Sequence, residues 1–241
     1  KKRPAEQRPG RQSERNDHAS VIHADEKNKT LKSAFLNVKT VVTSRKKYLI
    51  MVLPVTAYGH PILRRVAEEI DKDYPELDQF ISDMFETMYA SDGIGLAAPQ
   101  VNRSIRLFII DGTPYADKVP EMADFKKVFI NPYILEEEGK NVTMDEGCLS
   151  IPNIREDVTR QEEVVIEYYD ENWELKEERY TGFQARVIQH EYDHLEGTLF
   201  TDKISPLRKT LIRRKLNDIT KGKVDVKYRM IFPKQKKSIM R

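Results

Sequence analysis

The sequence predicts an α+β fold: antiparallel-rich sheets packed around a central helix, plus a C-terminal helix. Three observations predict it. An amphipathic stripe of helical period runs from Leu77 to Met88. Strand-like apolar runs follow it and close on a hairpin. A helix carrying His190-Glu191-Tyr192-Asp193-His194 comes next, and a basic helix comes after it. Strands grouped between helices, with no internal repeat, favour α+β over alternating βαβ units.

The 241 residues leave room for one ordinary domain plus an extension. Residues 1–50 hold 13 Lys+Arg and 5 Asp+Glu, a charge of +8, which leaves −6 on the remainder of a chain whose net charge is +2. A basic segment is thus joined to an acidic body. The segment is polar and aperiodic, as in Lys1-Lys2-Arg3-Pro4-Ala5-Glu6, and cannot bury enough apolar surface to offset its ordering entropy. It reads as disordered to about Thr40. Its Arg and Ser content suits a transit peptide, whereas Glu6, Glu14, Asp17, Asp25 and Glu26 do not, because transit peptides are poor in acids. At Met51 the character changes to Met51-Val52-Leu53-Pro54-Val55, which leaves two readings of residues 1–50 open. They are a native extension, or upstream sequence ahead of a start at Met51. The domain expectation is therefore residues 1–50 as a basic extension, 51–205 as one globular domain and 206–241 as a basic C-terminal helix and tail.

Within 51–205, Asp73 stands two residues before Pro75 and signals a helix start. Leu77, Phe80, Ile81, Met84, Phe85 and Met88 follow at 3-4-3 spacing, so a helix buries that stripe as core and ends at Asp92-Gly93. The strand-like runs are Ile105–Ile110, Val128–Ile130 and Val164–Tyr169. The last meets Asp170-Glu171-Asn172 and turns into Trp173-Glu174-Leu175 as a hairpin. Residues 182 to about 195 form the helix that carries His190 and His194, with Gly197 just past its end. After Pro206 a basic helix runs from Leu207 to about Ile219, and Gly222 stops it. Val224–Tyr228 reads as a short strand.

Histidines four apart on a helix share a face, because four residues turn through about 400°. Both imidazoles of His190 and His194 can then reach one ion, with Glu191 beside it. These are two of only five histidines, and Cys148 is the single cysteine. The bland readings are two packed histidines and a small buried thiol. Taken together the three residues instead form a Cys-His-His donor set, and three protein ligands leave a position open for water, as catalytic sites do. The donor set suits zinc, iron(II), nickel or cobalt, and composition does not choose among them. Glu191 is placed to take a proton from the water. Hydrolysis also needs hydrogen-bond donors for a developing oxyanion. Gly93-Ile94-Gly95-Leu96-Ala97-Ala98-Pro99-Gln100 can supply one, since its glycines allow close backbone approach and Gln100 carries an amide.

That segment, Glu146-Gly147-Cys148-Leu149-Ser150 and Gln189-His190-Glu191-Tyr192-Asp193-His194-Leu195-Glu196-Gly197 together resemble the three motifs of peptide deformylases, in the same order and spacing. The resemblance covers about Leu53 to Lys203. It implies a hydrolase that removes the formyl group from the N-formylmethionine of nascent chains. In such enzymes a metal-bound water attacks the formyl carbon and formate is released. It further implies Cys148, His190 and His194 as ligands of one divalent metal, typically iron(II), with zinc, nickel or cobalt as replacements. Glu191 would be the general acid/base, with Gln100 and the backbone N–H of Leu149 as the oxyanion hole. Ile94, Gly95 and Gly147 would pair with the extended substrate, with Arg155 near its pocket, while Glu146 and Asp193 would orient the ligands. In some members of that family the C-terminal helix touches the ribosome, and the Arg- and Lys-rich helix after Pro206 offers phosphates a matching charge.

Two other readings compete. A zincin-like metallopeptidase shares the His-Glu-x-x-His helix but takes its third ligand downstream, where this sequence has no histidine. A non-enzymatic ribosome-associated protein with a structural metal would need a fourth protein ligand. One cysteine and no secretory apolar stretch point to a reduced, cytoplasmic setting. No run approaches the ~18 apolar residues of a membrane span. Neither DNA nor a partner chain is implied, so a monomer is expected.

Overall fold

The computed structural model describes residues 50–234. The expectations for the N-terminal extension and for the last residues of the tail lie outside that range. The strand Leu107–Asp111 has all five of its residues buried. Its two faces serve two cores. Phe108 and Ile110 join Ala185, Ile188, Tyr192 and Leu195. Leu107 and Ile109 join Leu77, Met84 and Met88. A strand covered by helices on both faces reads as a continuous apolar run, as Leu107-Phe108-Ile109-Ile110 does.

This strand is β3 in a chain that runs β1 (Val55–Thr56), α1 (Leu77–Ala90), β2 (Gly95–Ala97), β3, β4 (Lys126–Cys148), β5 (Ile151–Tyr169), β6 (Leu175–Thr181), α2 (Gly182–Leu195), α3 (Phe200–Lys203), α4 (Pro206–Thr220) and β7 (Met230–Ile231). Strands β2 to β6 form one antiparallel sheet in sequence order. α2 packs on β2, β3, β5 and β6. The expected α+β architecture is present, with helices on both sides of an antiparallel sheet and a further helix near the C-terminus.

The differences are local and have physical causes. α1 begins at Leu77 rather than beside Asp73, because Glu76 takes a left-handed conformation (φ 56°) and breaks the helix before it. The expected runs at Val128–Ile130 and Val164–Tyr169 are parts of much longer strands, 23 and 19 residues. Much of that added length is acidic and exposed. Glu138 lies directly across from Glu163, and Arg179 bonds both carboxylates, at 2.9 and 3.0 Å. The cation relieves the repulsion of a like-charge pair. Further along, the hydroxyls of Thr143 and Thr159 meet across the strands at 2.7 Å.

Thr181 stands at the N-cap of α2, but its side chain makes no cap. Glu121 supplies one from a distance: its carboxylate accepts from the Phe183 N–H at 2.6 Å and its carbonyl from Gln184 at 2.5 Å. A carboxylate at a helix N-terminus satisfies a free donor and complements the helix dipole. Gly182 enters the helix with φ 58°, which favours glycine there. At the far end the buried Arg106 bonds Glu196 at 2.7 Å.

α4 is capped by Ser205, with Pro206 in its first turn. It buries Ile212, Leu216 and Ile219 against Ile151, Ile154 and Val158 of β5. After Gly222 the chain turns back. The short strand is Met230–Ile231, parallel to β1, and not Val224–Tyr228. Burial nevertheless alternates from Val224 to Met230, with Val224, Val226, Tyr228 and Met230 turned inward. One face is thus packed, but no ladder partner lies alongside until β1.

Candidate functional site

Along α2, Arg186, His190 and His194 recur at four-residue spacing, so one helix face carries all three. That face looks toward the end of β4. There the register jumps from Gly147 opposite Arg155 to Cys148 opposite Ile151. Pro152, Asn153 and Ile154 are the extra residues, and such a bulge bends the strand and re-aims its side chains. Cys148 is thereby turned toward the helix. Its sulfur lies 3.3 Å from Nε2 of His194. The ligand atoms of Cys148, His190 and His194 all lie within 4.8 Å of one another.

These residues fit a metal. Bonds of about 2.3 Å to sulfur and about 2.0 Å to nitrogen at a tetrahedral angle would separate the two donors by about 3.5 Å, close to the distance observed. A thiolate and two imidazoles suit zinc, iron, nickel or cobalt better than magnesium or calcium, which take oxygen donors. Despite the burial that opposes it, His190 is raised well above the ordinary imidazole range by its contacts with the Cys148 sulfur and the Glu146 carboxylate. Burial and the neighbouring His190 charge hold His194 well below that range.

Behind the donor set lies a buried charge network. Glu146 accepts from Nδ1 of His190 at 2.9 Å, twice from Arg160 at 2.7 and 2.9 Å, and from Arg186 at 2.9 Å. With these partners its carboxyl sits far below the usual range despite burial. Arg160 also bonds Asp193 at 2.6 Å, and Lys203 approaches the other oxygen of Asp193 at 3.3 Å. Arg186 is held further by the carbonyls of Val158 and Val142. A carboxylate fixed by two guanidiniums orients the His190 ring and leaves its Nε2 free to ligate.

Glu191 has a different environment. It is 4% exposed, and its Oε2 has no hydrogen-bond partner. Burial pushes its carboxyl up to about 7. β2 passes directly against it: a Cβ on Gly95 would lie 2.5 Å from its Oε1, so only glycine permits this approach.

Gln100 sits in the 3₁₀ turn after β2. Its Oε1 accepts from the Ala97 N–H at 2.8 Å, which fixes the amide's orientation. Its Nε2 then points at Sγ of Cys148 and Oγ of Ser150, at long distances of 3.4 and 3.5 Å. A donor held this way has capacity left for a ligand. The groups converge on a cleft of about 680 Å³ lined by Ile94, Gly95, Gln100, Gly147, Cys148, Leu149, His190 and Glu191, among others. Arg155 lines the same cleft, is largely exposed and pairs with Asp145 at 2.5 Å. Asp193 does not line it and is turned instead to Arg160 and Lys203.

Sequence reasoning missed Arg160, Arg186 and Tyr228. Arg186 precedes His190 by one helical turn, a spacing that could have been noticed. Arg160 could be placed only from the register of β4 and β5. Tyr228 donates to the Leu149 carbonyl at 2.8 Å and lines the cleft from the C-terminal segment. Its hydroxyl is held well above the usual tyrosine range by burial and by the charge at Cys148.

Comparison with known proteins agrees on one family. Residues 52–210 match the model of the polypeptide deformylases. A peptide deformylase of Christiangramia forsetii is 54% identical over 195 residues, covering 78% of this chain and 100% of that protein. One from Flavobacterium psychrophilum is 52% identical over 194 residues, covering 77% and 100%. Among solved structures, the Plasmodium falciparum peptide deformylase matches with TM-score 0.63 at 39% identity, over 70% of this chain and 95% of that one. A peptide deformylase from Legionella pneumophila matches with TM-score 0.62 at 34% identity, over 71% and 96%.

Proposed function

The chain belongs to the polypeptide deformylase family, metal-dependent hydrolases that remove the N-formyl group from nascent proteins, and from that premise we propose that Cys148, His190 and His194 are its metal centre and Glu191 its proton carrier. The observation that carries the reading is a buried carboxylate with an unpartnered oxygen, beside a Cys-His-His donor set in an open cleft. The donor set is completed upstream by Cys148, not downstream as in zincin-like peptidases.

A divalent metal, iron(II) in the cell, would be held by the Cys148 sulfur and the two imidazoles, and would supply a Lewis acid that makes water nucleophilic near neutral pH. The chain's own groups do the rest. Glu191 accepts the proton of the water as its oxygen adds to the formyl carbon. It delivers that proton to the amine nitrogen as the C–N bond breaks, leaving formate and a free N-terminus. The Gln100 amide and the Leu149 N–H receive the formyl oxygen as it gains charge. Ile94, Gly95 and Gly147 present backbone to an extended peptide, and Arg155 stands at the cleft mouth. Glu146 orients His190. Asp193 acts through Arg160, which it shares with Glu146.

In this reading residues 51–205 are the catalytic domain and the protein acts as a cytoplasmic monomer. Among the described residues no helix is long and apolar enough to cross a membrane. Ribosome contact is assigned to the outward face of α4, where Arg213, Arg214 and Lys215 are exposed; co-sedimentation with ribosomes tests it.

The decisive experiment is formate release from formyl-Met-Ala-Ser by anaerobically purified, iron(II)-loaded protein, next to Glu191→Gln. The wild type turns over. The variant keeps its metal and loses about 10²–10⁴ in rate, since an amide cannot shuttle a proton. No release by metallated wild type, or near-normal turnover by Glu191→Gln, would overturn the assignment.

A further inference from the structure

Leu149 and Ser150 form the two-residue connection between β4 and β5. Hairpins this short favour turns with one or both central residues at positive φ. Neither Leu149 nor Ser150 is in that region, and the register beside them has just been broken by the bulge. The pairing of the two strands is thus a poor guide for this turn. Three bonds from elsewhere in the chain hold it instead. The Ser150 carbonyl accepts from the Tyr58 N–H, just beyond β1, at 2.8 Å. The Ser150 hydroxyl faces Gln100. The Leu149 carbonyl accepts from the Tyr228 hydroxyl at 2.8 Å.

Tyr228 is itself held at both sides. Downstream, β7 joins β1 through the Val55 N–H to the Arg229 carbonyl and the Ala57 N–H to the Ile231 carbonyl, each 2.8 Å. Upstream, Nδ2 of Asn153 donates to the Asp225 carbonyl at 3.1 Å. Val224, Met230 and Phe232 pack into the core beneath α4. The chain at β1 therefore braces the turn in two ways, directly through Tyr58 just beyond the strand and indirectly through the strap that carries Tyr228.

We propose that residues 223–231 are a positioning strap for the catalytic turn, and that the Tyr228 hydroxyl, by fixing the Leu149 carbonyl, sets the aim of the Leu149 N–H at the reacting oxygen. This rests on the reading of Leu149 as an oxyanion donor. The geometric reason is simple. The carbonyl and the N–H of Leu149 are joined through one Cα. Pinning the carbonyl removes the rocking about that residue that would swing the N–H off its target. Donors of this kind act through preorganisation, and a displacement that is small on the scale of the fold costs rate.

Tyr228→Phe tests it, because it keeps the ring that walls the cleft and deletes only the hydroxyl. With iron(II)-loaded protein and formyl-Met-Ala-Ser, kcat falls about tenfold, part of the 10²–10³ that loss of a whole oxyanion donor costs. KM, metal content and melting temperature stay near wild type. Hydrogen exchange at the Leu149 and Ser150 amides, read by NMR, quickens in the variant, while exchange in the α2 amides does not change. Unchanged kcat, or a raised KM with unchanged kcat, overturns the proposal; the second result makes Tyr228 a substrate wall only. A wild type that releases no formate would instead defeat the deformylase reading itself, and the exchange measurement would still decide whether the strap holds the turn.

Discussion

Gly95 shows how narrowly a single residue is constrained here. The position where its Cβ would stand lies 2.5 Å from Oε1 of Glu191 and 2.8 Å from the Cδ and Cγ of the same side chain. Glu191 is buried at the edge of the cleft, so any shift that relieves this contact moves its carboxylate away from the position it holds beside the donor set. Gly95→Ala must therefore displace the carboxylate or push β2 off α2. Overpacking of this kind costs about 1–3 kcal/mol of stability, and a carboxylate moved by about 1 Å costs roughly 10²-fold in turnover. Gly95→Ala should thus retain its metal and most of its fold while formate release drops about a hundredfold. A rate within twofold of wild type would show that Glu191 has no fixed working position. At this scale the two proposed imidazole donors stood out in the sequence because a helix places residues four apart on one face, with Glu191 next to the first of them, and Cys148 stood out as the single cysteine. Arg160 was not readable, because its bond to Glu146 depends on which residues of two long, bulged strands stand opposite each other.

Elements are stabilised here largely by side chains from elsewhere in the chain. Glu121 caps α2 across 62 residues. Asp202 belongs to the four-residue helix α3 and ties it to the N-terminal part of the body. Its carboxylate accepts from the Leu199 N–H at 2.9 Å, forms an ion pair with Arg64 and meets Lys209 at 3.2 Å. Burial opposes ionisation, but the Arg64 bond and the Leu199 N–H outweigh it, so the Asp202 carboxyl lies below its ordinary value of 3.8. A depressed carboxyl stabilises the folded state above the unfolded value and loses that contribution as pH falls through the folded one. Asp202→Ala should then lower the melting temperature by roughly 2–4 °C at pH 7, the scale of a lost cap. The gap should be full above about pH 4 and shrink below it. A gap independent of pH down to 2.5 would rule out the ionised carboxylate as its source. The same dependence on distant partners explains which elements the sequence revealed. α1 and α2 carry their own periodic stripes and were readable within a few residues. The outer parts of β4 and β5 carry no such stripe. Glu136-Glu137-Glu138 runs as strand opposite Val165, Val164 and Glu163, with Arg179 of β6 bonding Glu138.

In the molecule as a whole, the proposed metal donors are attached to parts that are already rigid. His190 and His194 ride on α2, whose opposite face is buried in the core with Phe108, Phe129 and Tyr180. Cys148 ends β4, which pairs along most of its length with β5. The Glu146–Arg160–Arg186 network is satisfied by protein groups alone. Unlike a zinc finger, whose folding free energy is its metal-binding free energy, this fold has its apolar cores without the ion. Chelation should therefore abolish formate release while the near-UV circular dichroism stays native. Stability should still fall, because a ligand that binds only the folded state adds RT ln(1 + [L]/Kd), about 4 kcal/mol at a thousandfold excess over Kd. For a protein of this size that is roughly 8–16 °C in melting temperature. Restoring iron(II) or nickel should return both activity and melting temperature. If chelation instead removed the native near-UV signal at room temperature, the metal would be structural. The open position beside Glu191 would then have to be explained by something other than catalysis.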